Sequence, residues 1–161
     1  MNHDEKLALV DDFENAYAGI EELVAGMSAD ERDFIPGIEG AWSVNEHLVH
    51  LLDADANLVF RARGAVAESG IAVPVWDQEA WRSKLKYRLS DGVACLKTAK
   101  ALRSFIAGTL RELTDAEWEA SSIVHPQRGP MSLVAVVELY RGHADFHENY
   151  IVRNMEAYAA R

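Results

Sequence analysis

The chain has one cysteine, Cys95. That excludes an internal disulfide and suits a reducing compartment, so the cytoplasm is the expected location. No apolar run approaches the roughly 18 residues that a membrane-crossing helix needs. The N-terminal stretch "MNHDEKLALVDD" carries acids where a secretory leader would carry bases. Basic residues are the minority: 16 Lys and Arg against 26 Asp and Glu give a net charge of −10. With no dominant basic patch, neither nucleic acid nor an anionic membrane is an expected partner. Internal repeats and low-complexity segments are also missing. What is present fits one globular domain over residues 1–161, because 49% of the residues are apolar and 26% charged, ordinary values for a chain that buries a core.

Four segments carry helical periodicity. The first runs from about Glu5 to Gly26, with Leu7, Val10, Phe13, Tyr17, Ile20 and Leu23 at three- and four-residue steps. The second begins at Ser43, a capping residue with Glu46 three positions on, and ends near Glu68. A long connection, "SGIAVPVWDQEAWRSKLKYRLSDG", separates it from a third helix over about Asp91–Leu113. A polar excursion through "TDAEWEASSIVHPQRGPM" follows, read as a short helix and an extended turn, before a fourth helix over about Ser132–Tyr158. Strand signal is slight. The expectation is an all-α protein, an antiparallel four-helix bundle, whose ligand sites would be built from inward-facing side chains.

The last helix holds "RGHADFHENY", placing His143 and His147 four residues apart. At that spacing two imidazoles stand roughly 40° apart in azimuth and about 6 Å apart along the axis, so both reach one ion. Val136, Leu139, Tyr140 and Ile151 share their face, which puts the pair in an apolar stripe. Imidazoles buried there need partners, either hydrogen-bonding neighbours or a metal. Helix two offers His47 and His50 as a third ligand. The apolar stripe of that helix passes roughly 70° from His47 and roughly 130° from His50, so periodicity favours His47. Asp55 lies almost at the centre of the same stripe, where a carboxylate requires a strong partner, whether a metal or a buried cation.

"GAWSVNEHLVHLLDADANLVFR" and "LYRGHADFHENYI" together resemble the signature of the DinB-like superfamily, a tryptophan followed eight residues later by a histidine, and an HxxxH in the last helix. "VWDQEAWRSKLK" and "LTDAEWEASSIVHPQRGPMSLVAVVELY" are similar in order and spacing to its YfiT-like branch, which includes bacillithiol S-transferases. The resemblance covers about Gly40 to Ile151. It implies a four-helix bundle with one divalent ion, zinc or nickel, held by His50, His143 and His147, against the periodicity choice of His47. The chain departs from the YfiT-like pattern at Asp145 and Phe146, where further histidines are usual, and at Asp55, which also replaces a histidine. These departures bear on the pocket and therefore on the substrate.

The resemblance also implies a small-molecule substrate, with a low-molecular-weight thiol or water activated at the metal, and a homodimer. Water, a thiol or Asp55 would complete the metal shell, and no residue stands out as a general base. A non-catalytic metal- or ligand-binding bundle would use the same triad. His125 is expected to fix its loop rather than ligate. Trp76 and Trp81 are expected to plug the bundle mouth, and Trp42 to pack at the helix start or wall a pocket. Cys95 reads as an inert core thiol, and Asp53 and Arg61 as part of a solvated face.

Overall fold

Ser43 opens the second long helix in the manner its sequence predicts. Its hydroxyl accepts from the Glu46 N–H at 3.2 Å while the Glu46 carboxylate accepts from the Ser43 N–H at 2.9 Å. The computed structural model describes residues 1–161. In chain order the elements are α1 (His3–Asn15), α2 (Ala18–Ala25), α3 (Ala29–Asp33), α4 (Val44–Ala67), β1 (Ile71–Ala72), α5 (Gln78–Lys84), a 3₁₀ turn (Tyr87–Leu89), α6 (Gly92–Arg111), α7 (Asp115–Ala120), β2 (Ser122–His125), β3 (Gly129–Ser132) and α8 (Leu133–Ala159). The long helices α4, α6 and α8 start within a residue or so of the predicted positions, each behind a capping side chain: Ser43, Asp91 and Ser132.

The first predicted helix is split in two. Its ladder breaks at Ala16–Tyr17, where Arg103 Nη1 donates to the Phe13 carbonyl at 3.0 Å and Tyr17 takes φ −95°, ψ 4°. A side chain that captures a ladder carbonyl is a recognised cause of such a break.

Each long helix packs on two others. The pair α1–α2 lies against α6 and α8, and α4 lies against the same two, so consecutive long helices α1 and α4 sit on a diagonal. Direction follows from side-chain pairs. His47 meets His147 and Arg61 meets Tyr140, so α4 and α8 are antiparallel. Asp11 meets Arg111 and Glu21 meets Lys100, so α1–α2 and α6 are antiparallel as well. By contrast Asn45 meets Gly92 and Asp55 meets Arg103, so α4 and α6 run parallel. A parallel neighbour needs a long return, and the connection after α4 supplies it.

That return ends beside the start of α4. Asn45 accepts from the Gly92 N–H at 2.9 Å and donates to the Tyr87 and Ser90 carbonyls at 3.1 and 3.0 Å. A Cβ at Gly92 would stand 3.0 Å from the Asn45 backbone oxygen and 3.1 Å from the Leu48 Cβ, so the crossing requires glycine.

The polar excursion before α8 contains the expected short helix, α7, and its expected extended turn is a hairpin. β2 pairs antiparallel with β3 in the register Ile123↔Met131, and its other edge takes β1 in parallel, Ile71↔Ile123. This small sheet, order β1-β2-β3, is absent from the all-α expectation. Its strands are two to four residues long, below the length at which alternation can be read from sequence.

The core has two apolar layers. One gathers Phe13, Leu58, Ile106, Trp118 and Leu133, the other Tyr17, Ile20, Leu48, Leu96 and Ile151. No helix is long and apolar enough to cross a membrane.

Candidate metal centre

The first two turns of α4 are buried on every side, Val44 to Leu51 without exception. The core covers one face and the connection after α4 covers the other. Trp76 stacks on His50 with ring centroids 5.2 Å apart, and Trp42 meets the same imidazole edge-on at 5.2 Å. His50 is therefore only 2% exposed although it lies off the apolar stripe. Periodicity registers a single buried face, so it cannot see burial supplied by a loop.

On α8 the i, i+4 spacing does what was expected of it. His147 Nε2 stands 3.0 Å from His143 Nε2, and His143 Nε2 stands 3.3 Å from His50 Nε2. The ligand atoms of His50, His143 and His147 all fall within 4.8 Å of one another. Two imidazole nitrogens bound to one tetrahedral ion at about 2.0–2.1 Å are separated by about 3.3 Å, so the spacing suits a metal. The donor set fits too. No carboxylate or backbone acceptor comes between the three nitrogens, and the Nδ1 atoms of His50 and His143 have no hydrogen-bond partner. The only partners these Nε2 atoms have are other imidazole nitrogens, an arrangement that a shared cation satisfies and a shared proton satisfies only in part.

His47 is close but differently placed. Its Nδ1 lies 2.9 Å from Nδ1 of His147, on the side of that ring facing away from the triad. With a proton on His147 Nδ1, His147 donates to His47 and its Nε2 is left as a lone pair. His47 is thereby placed to favour the ligating tautomer of His147.

Burial holds all four rings in the neutral form a ligand needs. It lowers His50 to about 3, with the neighbouring His143 and His47 adding to the effect. It lowers His143 to about 4, helped by Arg103. His47 falls to about 3 through burial, then Arg153 and Arg82. His147, also buried among the other three imidazoles, is shifted down as well.

Asp55 does not approach the triad. Its carboxylate accepts from Arg103 Nε at 2.9 Å and Nη2 at 3.3 Å, and both residues are fully buried. Of the two partners foreseen for it, the cation is the one present. It cannot complete a metal shell.

Two cavities flank the triad. The larger, about 690 Å³, is bordered by His50 and His143 together with Trp76, Arg61, Tyr140 and His125. The smaller, about 370 Å³, is bordered by His147, His47, Trp42 and Tyr150. Trp42 fills both roles considered for it. Its backbone carbonyl is fixed by Asn154 Nδ2 at 2.7 Å, its Nε1 donates to Glu79 at 3.0 Å, and its ring walls the smaller cavity. Trp76 lines a cleft rather than plugging the mouth, with the Trp81 ring tilted against it at a centroid distance of 4.7 Å.

His125 fixes its turn by accepting from the Gln127 N–H at 3.2 Å. Arg61 corrects the sequence reading: it is buried, not solvated, because the connection after α4 folds over that end of the helix and the Pro74 carbonyl accepts from Nη2 at 2.9 Å. Asp53 is half-buried and accepts from the Tyr87 hydroxyl. Cys95 is half-buried rather than a core residue, with its thiol raised by burial and the nearby Asp53 and Asp91.

The fold and site together define a class: a bundle of four long helices, α4 and α6 parallel, with a three-imidazole cluster suited to a metal ion between α4 and α8. A family model described as the DinB superfamily matches residues 12–151, and the chain belongs to that superfamily. A protein of Oceanobacillus iheyensis with the name "putative metal-dependent hydrolase" is 26% identical over 112 residues, which make up 70% of this chain and 64% of that protein. The match thus spans less than two thirds of that relative. YfiT of Bacillus subtilis, with the same descriptive name, is 25% identical over 139 residues, 86% of this chain and 77% of its own. The solved structure of YfiT superimposes with a TM-score of 0.87 at 23% identity, covering 97% of this chain and 89% of that one. It is described as having "an unusual four-helix bundle topology".

Proposed function

We propose that His50, His143 and His147 hold one divalent metal ion, zinc or nickel, and that the chain is a metal-dependent hydrolase of a small molecule. The observation that carries this reading is the convergence of three neutral Nε2 atoms, two on buried rings and one on a half-buried ring, on one point beside a cavity. A bound divalent cation supplies Lewis acidity, lowering the pKa of a water or thiol that it binds and polarising an oxygen of the substrate.

The chain's own residues do the rest. His47 holds His147 in the ligating tautomer. Trp76 and Trp42 clamp His50 from two sides and exclude bulk water from it. Tyr140, one turn before His143, has its phenol raised by burial, so it stays protonated as a donor at the cavity wall. No carboxylate contacts the triad, so proton removal in this reading rests on the metal's effect on its own ligand rather than on a side-chain base.

One observation favours a second reading, S-transfer from a low-molecular-weight thiol. The triad has a cavity on each side, and a transferase must seat two partners. Metal analysis of untagged protein tests the common premise: one zinc or nickel per chain is expected, and none would overturn it. Hydrolysis of ester and amide panels, set against transfer from thiols to electrophilic acceptors, separates the two reactions. Stoichiometric metal with neither activity would leave a metal-binding bundle without catalysis. A homodimer belongs to the same reading, and sedimentation at micromolar concentration giving a mass of 17.9 kDa would remove it.

A further inference from the structure

Arg61 and Arg103 are the two buried arginines of the bundle. Arg103 is neutralised by Asp55. Arg61 has no carboxylate: its partners are the Tyr140 hydroxyl at 2.8 Å and the Pro74 carbonyl at 2.9 Å, both neutral. A guanidinium only 7% exposed, left unpaired in a chain of charge −10, is unusual, because carboxylates are abundant and pairing would relieve its desolvation.

Its position explains why a pairing residue would be out of place. Arg61 follows His50 by three helical turns on the same face of α4, and both border the larger cavity. Between them Ala54 leaves the floor of the cavity open. The cavity is also bordered by His125 and Arg128, and burial first, then the nearby Arg61 and Arg128, disfavours protonation of His125. Asp77 is the one carboxylate on the lining. It is exposed, and its Oδ1 is occupied capping α5 through the N–H groups of Glu79 and Ala80. Tyr140 accepts from Arg61, which leaves its own hydroxyl proton free for an acceptor in the cavity.

We propose that this cavity selects a small organic oxyanion, a carboxylate or a phosphate monoester, whose charged group docks on Arg61 and the Tyr140 hydroxyl while its reactive end lies at His50 and His143. The oxyanion is the counter-ion that the fold omits. A guanidinium presents its donors in a planar fork that matches such a group, and a cavity of about 690 Å³ is the size of an ordinary small-ligand pocket. As a statement about substrate, this rests on the metal-dependent reading; as a binding site, it stands apart from it.

Calorimetric titration of the full chain with succinate, its neutral isostere succinamide and inorganic phosphate tests the proposal, in metal-loaded protein and in metal-free His143→Ala. Both anions are expected to bind and the diamide to bind at least about tenfold more weakly, a comparison that needs no Arg61 variant. Arg61→Gln is expected to weaken the anions by at least about tenfold in both metal states, with Arg61→Lys falling between, since it keeps the charge and loses the fork. Equal binding of succinate and succinamide, or full affinity in folded Arg61→Gln, would overturn the proposal. Arg61-dependent anion binding in a wild-type chain that takes up no metal would instead defeat the metal reading and leave the oxyanion site standing.

Discussion

Asp55 and Arg103 meet at the boundary between the two core layers, the guanidinium Nε 2.9 Å from one carboxylate oxygen and Nη2 3.3 Å from the other. Arg103 also donates to the backbone carbonyls of Phe13 and Tyr140 and to the Tyr17 hydroxyl, so one side chain from α6 ties together α1, α4 and α8. Removing either charge strands the other. Asp55→Ala or Arg103→Ala should cost about 3–5 kcal/mol in urea unfolding, whereas exchanging both for apolar residues of similar volume should cost far less. Because Asp55 is not a ligand, Asp55→Asn that folds should retain its metal. A loss below about 1 kcal/mol in the single variants would show that the pair does not organise the core.

His47 and His50 should separate cleanly by metal content. His50→Ala, like His143→Ala and His147→Ala, removes a converging nitrogen and should abolish stoichiometric binding. His47→Ala removes the tautomer-setting partner of His147 and should weaken affinity about 10–100-fold while a full equivalent still binds at saturation. Competition against a zinc-chelating dye measures both. Metal lost from His47→Ala and kept by His50→Ala would reverse the two roles.

The imidazoles also set an acid response. His50 and His143 lie near 3 and 4 in the folded metal-free protein, against 6.5 for the free side chain. Below about pH 6.5 the unfolded chain takes up protons that the folded chain refuses, so stability falls as pH drops and stops falling only near 3–4. Metal-free protein should therefore lose urea stability from about pH 6.5 downward, and bound metal should raise stability across that range without moving the onset, which the imidazoles of the unfolded chain set. Stability that stays flat between about pH 7 and 4.5 without metal would contradict the burial of these rings.

At Gly92 the close approach of α6 to α4 gives a further test. Gly92→Ala would press a methyl onto the Asn45 amide and backbone oxygen, and should cost about 1–3 kcal/mol. Asn45→Ala should cost a comparable amount, because it frees two carbonyls and one N–H in a buried turn. Unchanged thermal midpoints in both variants would mean that this junction does not hold the crossover in place.

Much of this arrangement is legible in the amino-acid sequence. Ser43, Asp91 and Ser132 mark the helix starts because a capping side chain works over three residues, and the apolar steps of α4, α6 and α8 reflect local burial. The same local rule misled at Ala16–Tyr17, where the break is caused by an arginine ninety residues away. It failed at His50 and Arg61 for one reason: both are covered by residues 71–78, which no periodicity within α4 can register. The resemblance to the superfamily named His50 where periodicity named His47. The structure brings His50 to the converging nitrogens and sets His47 behind His147. Arg61 had a signal of its own, a position three turns from His50, that becomes meaningful only once the covering loop is in place.

The parallel pairing of β1 with β2 has a consequence for how such a protein can change its substrate. Ile71 and Ala72 are registered against Ile123 and Val124, with the Val73 N–H on the Val124 carbonyl at 3.1 Å and the Gly70 N–H on the Ser122 carbonyl at 2.8 Å. Trp76 and the Pro74 carbonyl lie downstream of one strand, and His125 and Arg128 at the end of the other. Two segments distant in the chain are thus laced into a single roof, while the long helices beneath carry the imidazoles and the core. Such a roof is built as a matched set. A loop taken alone from a relative would arrive without its ladder partner, so grafting should succeed when residues 69–77 and 121–132 travel together and fail when either travels alone.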